Sequence, residues 1–401
     1  MSNSDESRDP SLLFSSGEYE EYEEPPTNEI NVENLTILEE LEKELFHVVH
    51  KGELRKNGKS LAVTVKGPAN PTDKTQQKMI FDEIPVLIDL KKHPNILGFV
   101  GVAEKVPNLV PKQQYLPYFS GQFSIVSEYA EKGCLLNFLR DTLSEGKFQN
   151  QLVEDEDDGF VYVNNEPSSY SNNENDETPS LKHGVAMSRS DYDHVQNTPM
   201  TTIRIHPNAI FISDLVAFGW QIAGGMKHLT NLSYVHRQLA LRSIYIANDK
   251  TIRIGGLGLA RKNEKHYYRI IHKENPLPFH WMAPETLTNH KFDEKSDVWS
   301  FAVCLFEIFS LGEVPYKGVG DILQFLEDGS RLLKPDCCPQ SIYQFMLKCW
   351  DWEPEKRPTF EKCEQYFKTF LQENAPQVLQ RVTENLKDVV ESHKKLDEWV
   401  R

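Results

Sequence analysis

From residue 35 the chain alternates short apolar clusters with charged breaks. The clusters at residues 35–37, 46–49 and 61–65 are of strand length and rich in β-branched side chains, which predicts β-strands. Over residues 76–90 the period changes, and apolar positions recur three and four apart, as on one face of a helix. Pro85 sits inside this helix, where its missing N–H and its ring are expected to kink or shorten it. A further apolar run at residues 123–126 predicts another strand. Leu215, Phe218, Ile222 and Met226 restart a helical period, and apolar, largely helical sequence continues to about residue 371. The last segment carries Leu379, Val382, Leu386, Val389, Leu396 and Val400, a heptad-like stripe interrupted by His393. Such a stripe either dimerises or docks back on its own domain, and docking back is the favoured reading at this length.

Two stretches have no apolar period. Residues 1–34 are rich in Ser, Glu, Pro and Asn and read as a disordered acidic tail. Residues 145–208 are rich in Asp, Glu, Asn, Ser and Pro and read as a long disordered insertion, a kind of segment that is usually functional when it interrupts a compact domain.

With 401 residues, 39% of them hydrophobic, the chain can bury a large core. Its 60 acidic against 44 basic residues (net −16) argue against nucleic acid as a partner. Part of the acidity is local, in runs at residues 18–24 and 154–158. Six cysteines, two of them the adjacent Cys337 and Cys338, lack metal-ligand spacing and fit a reducing, cytoplasmic setting. Residues 1–10 are too polar for a secretory core, and the apolar run 298–311 contains Glu307 and is too short to span a bilayer.

Residues 234–261 read YVHRQLALRSIYIANDKTIRIGGLGLAR. This segment resembles the catalytic and metal-binding loops of protein kinases, H-R-D-L-A-A-R-N followed by D-F-G-L-A-R. Downstream follow PFHWMAPE (278–285), SDVWSFAVCLFEIFSLGEVPY (296–316) and CWDWEPEKRPTF (349–360), while FSIVSEYAEKGCLLNFLR (123–140) resembles the hinge. Their order and spacing are similar to tyrosine kinases, closest to receptor-type members that carry a kinase insert. The resemblance implies an α+β, bilobal protein-kinase fold. Its β-rich small lobe would span residues 35–130 and its mostly helical large lobe 131–372, with the kinase insert at 145–208 and a C-terminal helix at 373–401.

Phosphoryl transfer needs cradled phosphates, held magnesium and a carboxylate to orient the attacking hydroxyl. The phosphate-covering loop of the family, L-G-x-G-x-F-G, is here Leu41-Glu42-Lys43-Glu44-Leu45-Phe46-His47. All three glycines that permit close backbone approach are gone, and Glu42 and Glu44 add negative charge beside the place of a triphosphate. Lys66 and Glu83 match the pair that grips phosphates, although a structural ion pair is the favoured reading. The general-base position is Gln238, which at neutral pH neither accepts a proton nor carries charge. Ser243 stands where an asparagine holds the second magnesium, and Gly256 where the D-F-G aspartate holds the metal. Arg242 of the A-A-R signature is retained.

Residues that resemble the fold-holding set persist. Glu285 and Arg357 match a buried ion pair, Asp297 matches the acceptor for the catalytic-loop backbone, and Trp281 and Trp299 match core aromatics. Kept scaffold with lost chemistry is the pattern of a pseudokinase, with no cofactor implied beyond ATP held without magnesium. The resemblance thus implies a scaffold or allosteric partner of an active tyrosine kinase. The alternative is a residual, ATP-dependent tyrosine kinase in which Glu42 or Glu44 turns inward to hold metal.

Candidate phosphorylation sites are Tyr162 and Tyr170 in the insert, each followed two residues later by asparagine, as in sequences read by phosphotyrosine-binding adaptor proteins. Tyr267 and Tyr268 resemble activation-loop tyrosines. Tyr19, Tyr22 and Tyr192 are weaker candidates.

Overall fold

The computed structural model describes residues 29–104, 123–149, 152–153, 161–162, 209–263, 268–269 and 278–400. Five antiparallel strands build the small lobe: β1 (Leu35–Lys43), β2 (His47–Lys56), β3 (Lys59–Pro68), β4 (Phe99–Glu104) and β5 (Phe123–Glu128). Their order across the sheet is β1-β2-β3-β5-β4. The period-two alternation of β3 buries Val63 and Val65 completely and turns Thr64 and Lys66 to the other face. In register, Glu42 pairs with Val49 and Val49 with Lys66, so these three positions form one row across the sheet.

Helix α1 (Lys74–Asp89) packs on this sheet and starts at Asp73, whose carboxylate accepts from the N–H groups of Thr75 and Gln76. Pro85 does not shorten it, for the helix continues past the ring to Asp89. β4 was not foreseen: its residues are buried almost throughout, so no polar alternation marks it. Ordered chain also begins before residue 35. Ile30 donates its N–H to Val102 O at 2.8 Å and buries its side chain, so one apolar residue ties the end of the expected tail to the sheet edge.

The large lobe contains α2 (Leu135–Ser144), α3 (Ile212–Asn231), α4 (Pro284–Asn289), α5 (Glu294–Phe309), α6 (Ile322–Glu327), α7 (Gln340–Cys349), α8 (Phe360–Asn374) and α9 (Pro376–Val400). From Ser296 to Phe309 every residue of α5 is buried, which explains its largely apolar sequence as that of a core helix. No helix among the described residues is long and apolar enough to cross a membrane. Residues Phe148–Gln149 pair in parallel with Ile210–Phe211, so the first residues of the stretch read as insertion belong to this lobe. All six cysteines are free thiols. The architecture is the expected α+β, bilobal one.

Along α9, Val382, Val389 and Leu396 repeat every seven residues and are 1%, 6% and 6% exposed. The stripe therefore docks on its own domain, first on the large lobe and then on the small one.

Candidate functional site

Between the lobes lies a cleft of about 410 Å³. Its roof is the sheet face that carries Glu42, Val49, Thr64 and Lys66. Its floor comes from the loop 236–243, the hairpin formed by Ile244–Ile246 and Ile252–Ile254, and residues 255–257.

Lys66 Nζ lies 2.7 Å from Glu83 Oε2, so the β3 lysine and the α1 glutamate are paired across the small lobe. Gly258 presses on this pair, since a Cβ there would lie 3.2 Å from Glu83 Oε2. The loop 41–47 closes tightly, with Glu44 N donating to His47 O at 2.9 Å. Glu42 enters the cleft, where its carboxyl is raised above the usual range by burial first and by the nearby charge of Glu44 second. Lys66, the Tyr245 hydroxyl and Arg242 oppose that rise without cancelling it. Glu44 stays exposed at the rim. Its carboxylate is 3.5 Å from His47 Nε2. Burial, and then the charge of Lys66, lower His47 to about 3, so the imidazole is neutral at physiological pH and this contact is no ion pair.

The floor is tied to itself. Gln238 donates its side-chain amide to the carbonyl oxygen of Gly256. Gly256 has φ +66°, in the left-handed region, and a Cβ there would lie 2.7 Å from both Cβ and Oγ of Ser243. A side chain at 256 therefore meets conformational strain and an occupied neighbour together. Arg242 places its guanidinium 4.3 Å above the ring of Trp281. Trp281 is only partly buried, unlike the fully buried Trp299; one face of its ring carries this cation and its N–H donates to Glu307 at 2.8 Å. Among the described residues no group of three or more His, Cys, Asp and Glu is arranged to hold a metal ion.

Beneath the cleft, Asp297 accepts from the N–H groups of His236 (2.7 Å) and Arg237 (2.9 Å). Complete burial nevertheless pushes its carboxyl up to about 7, outweighing these two bonds. Glu307 is raised to about 7 for the same reason, although it accepts from Trp281 and from Leu241 N. Farther down, Arg357 holds Glu285 with two parallel bonds of 2.7 and 2.9 Å, its own side chain fully buried.

The family described as protein tyrosine and serine/threonine kinase matches residues 35–367. The chain belongs to the protein kinase family. This kinase domain is 34% identical over 389 residues to the tyrosine-protein kinase receptor ver-3 of Caenorhabditis elegans, a match covering 93% of the chain and 29% of the relative. To the tyrosine-protein kinase receptor old-1 of the same organism it is 32% identical, over 93% of the chain and 65% of the relative. The mast/stem cell growth factor receptor Kit of Gallus gallus is 30% identical, over 81% of the chain and 34% of the relative. The chain thus spans less than two thirds of the length of each of these relatives.

The structure of the kinase domain brings Glu42, Glu44, His47, Lys66, Glu83, Gln238, Arg242, Ser243 and Gly256 to one cleft, and keeps Glu285, Asp297 and Arg357 outside it. Tyr170 and Tyr267, with Tyr19, Tyr22 and Tyr192, lie outside the described residues. Tyr162 and Tyr268 are placed only by their backbones, paired with Leu152 and Phe292. Sequence reasoning missed Tyr245. It stands between Ile244 and Ile246, and the two-residue alternation of a strand was the signal that it faces away from their core. Glu307 was noted only as a break in an apolar run, and its place beneath Trp281 and Leu241 was not foreseen.

Proposed function

We propose that this kinase domain transfers no phosphate and acts by binding, as a scaffold or allosteric partner of an active receptor-type tyrosine kinase. One observation carries the reading: the amide of Gln238 is bonded to the Gly256 carbonyl, and Ser243 fills the space a side chain at 256 would need. A magnesium ion needs oxygen ligands, typically one or two carboxylates beside the phosphates, and these three positions supply no carboxylate. The residues present at these positions do not fit the metal. A nucleotide, if taken, is held without magnesium. Glu42 inside the cleft adds repulsion toward its phosphates.

Function then lies in contacts. Phosphorylation of Tyr162 and Tyr170 would present docking sites for phosphotyrosine-reading adaptors in the cytoplasm, with partners carrying the protein to the plasma membrane. The test has two arms. Purified full-length chain is incubated with peptide, ATP and magnesium, beside a Lys66→Met control. Phosphate incorporation that the control abolishes would overturn the proposal. In a pull-down with the phosphorylated chain, partners are captured only while Tyr162 and Tyr170 are intact and are lost in the double Phe variant.

A second reading is favoured by the assembled Lys66–Glu83 pair and by Glu42 facing the cleft. In it, residual ATP-dependent transfer survives with Glu42 as metal ligand. Stabilisation by ATP that requires magnesium and disappears in Glu42→Gln would support this reading over the first.

A further inference from the structure

Helix α9 touches both lobes, and the order of its contacts points to a role beyond packing. Its first half sits on the large lobe. Arg381 Nη2 reaches Asp214 Oδ1 at 2.5 Å, Asn385 Nδ2 donates to Asp249 O at 2.9 Å, and Val382 enters the large core. Its second half sits on the small lobe. Leu396 enters the cluster of Ile30, Val100 and Val126, Lys56 Nζ donates to Trp399 O at 3.0 Å, and Lys92 Nζ to His393 O at 2.7 Å. Its 25 residues span roughly 37 Å at 1.5 Å per residue, enough to reach from one lobe to the other.

Within the second half, the side chain of His393 meets the connection between the lobes. Its Nε2 is 2.9 Å from Glu128 Oε1, on the last residue of β5. The same oxygen accepts from Gly98 N at 2.6 Å and from Arg253 Nε at 3.2 Å. Glu128 is thus held at once by the small lobe, by the floor of the cleft and by α9. Gly98 makes the approach possible, since a Cβ there would lie 2.9 Å from both Glu128 Oε1 and His393 Nε2.

We infer that α9 is an intramolecular clasp that fixes the angle between the lobes, and that its release is what lets the cleft open. Anchored at Asp214 on one lobe and at the Leu396 cluster on the other, the helix turns two bodies joined by chain connections into one. Any partner that draws residues 376–400 away would free the small lobe. This inference does not depend on whether the domain transfers phosphate.

The test is small-angle scattering and hydrogen exchange on the full chain and on its Leu396→Asp variant. The expected result is a larger radius of gyration at unchanged mass. Exchange at least tenfold faster is expected in β4, β5 and residues 129–134, while α5 and α7 keep their protection. Arg381→Ala should release the same small-lobe segments to a lesser extent. An unchanged radius, with exchange in residues 129–134 within twofold of the parent, would overturn the clasp. If Leu396→Asp accelerates α5 equally, general unfolding has occurred and Leu396→Ala decides. The clasp then requires the lobe-selective pattern in that milder variant, and a uniform one refutes it. A doubled mass, with α9 contacts that vanish on dilution, would place the helix on a second copy and also refute it.

Discussion

Two groups of charged residues in this chain are built in opposite ways. At the base of the large lobe, Arg357 meets Glu285 in a buried two-bond fork, and each charge has its partner. In the cleft, Glu42 and Glu44 stand near one another, and burial and mutual repulsion raise Glu42 despite Lys66 and Arg242. The first arrangement uses charge to hold a fold. The second accepts electrostatic cost where the family's loop has glycines. The contrast teaches that the charges of the cleft and those that hold the architecture can be arranged separately within one domain, because they rest on residues that do not touch.

The contrast can be broken experimentally. Arg357→Ala should have the largest effect, since it leaves Glu285 without its buried partner. A loss of about 3–5 kcal/mol in unfolding free energy is expected by urea denaturation. Gly256→Asp restores a carboxylate but forces a side chain into the left-handed region against Ser243. It should cost about 1–3 kcal/mol and still produce no magnesium-dependent thermal shift with ATP. Gln238→Ala removes the bond to the Gly256 carbonyl and should cost about 0.5–1.5 kcal/mol, with no change in any phosphate-transfer readout.

The remaining effect is a slope. Asp297 and Glu307 are both raised to about 7 in the folded chain. The unfolded carboxyls ionise near 4, so the folded state binds more protons between the two values. Their contribution to stability is therefore fully present below about pH 4 and is lost as pH rises through about 7. Glu307→Gln keeps the acceptor for Leu241 and Trp281 while removing one titrating group. The decline of the urea midpoint between pH 5 and 7.5 should flatten in this variant, and an unchanged slope would show that burial does not govern Glu307.

Most of the fold was legible. The apolar cluster at residues 61–65 announced β3, and the heptad-like stripe that includes Val382, Val389 and Leu396 announced a helix for which docking back was favoured over dimerising. β4 escaped because both of its faces are buried and no polar position interrupts it. Pro85 misled because a helix held by tertiary packing survives the loss of one internal hydrogen bond. In the cleft, the replacements at residues 238, 243 and 256 were visible as letters, whereas the role of Tyr245 was not, since it hides within an apolar run.

The sequence by itself determined the family, through motifs whose order and spacing survive, and it determined which chemical groups are missing at the cleft. Tertiary structure alone decided that Gln238 and Ser243 fill the space around Gly256. It alone decided that Glu42 turns inward under the charge of Lys66, and that His393 reaches Glu128 across 265 positions. The physical reason is that periodicity reports which face of an element is buried, while the partner on that face is set by how distant elements pack. A histidine in a heptad stripe reads as a flaw until the carboxylate it meets is in view.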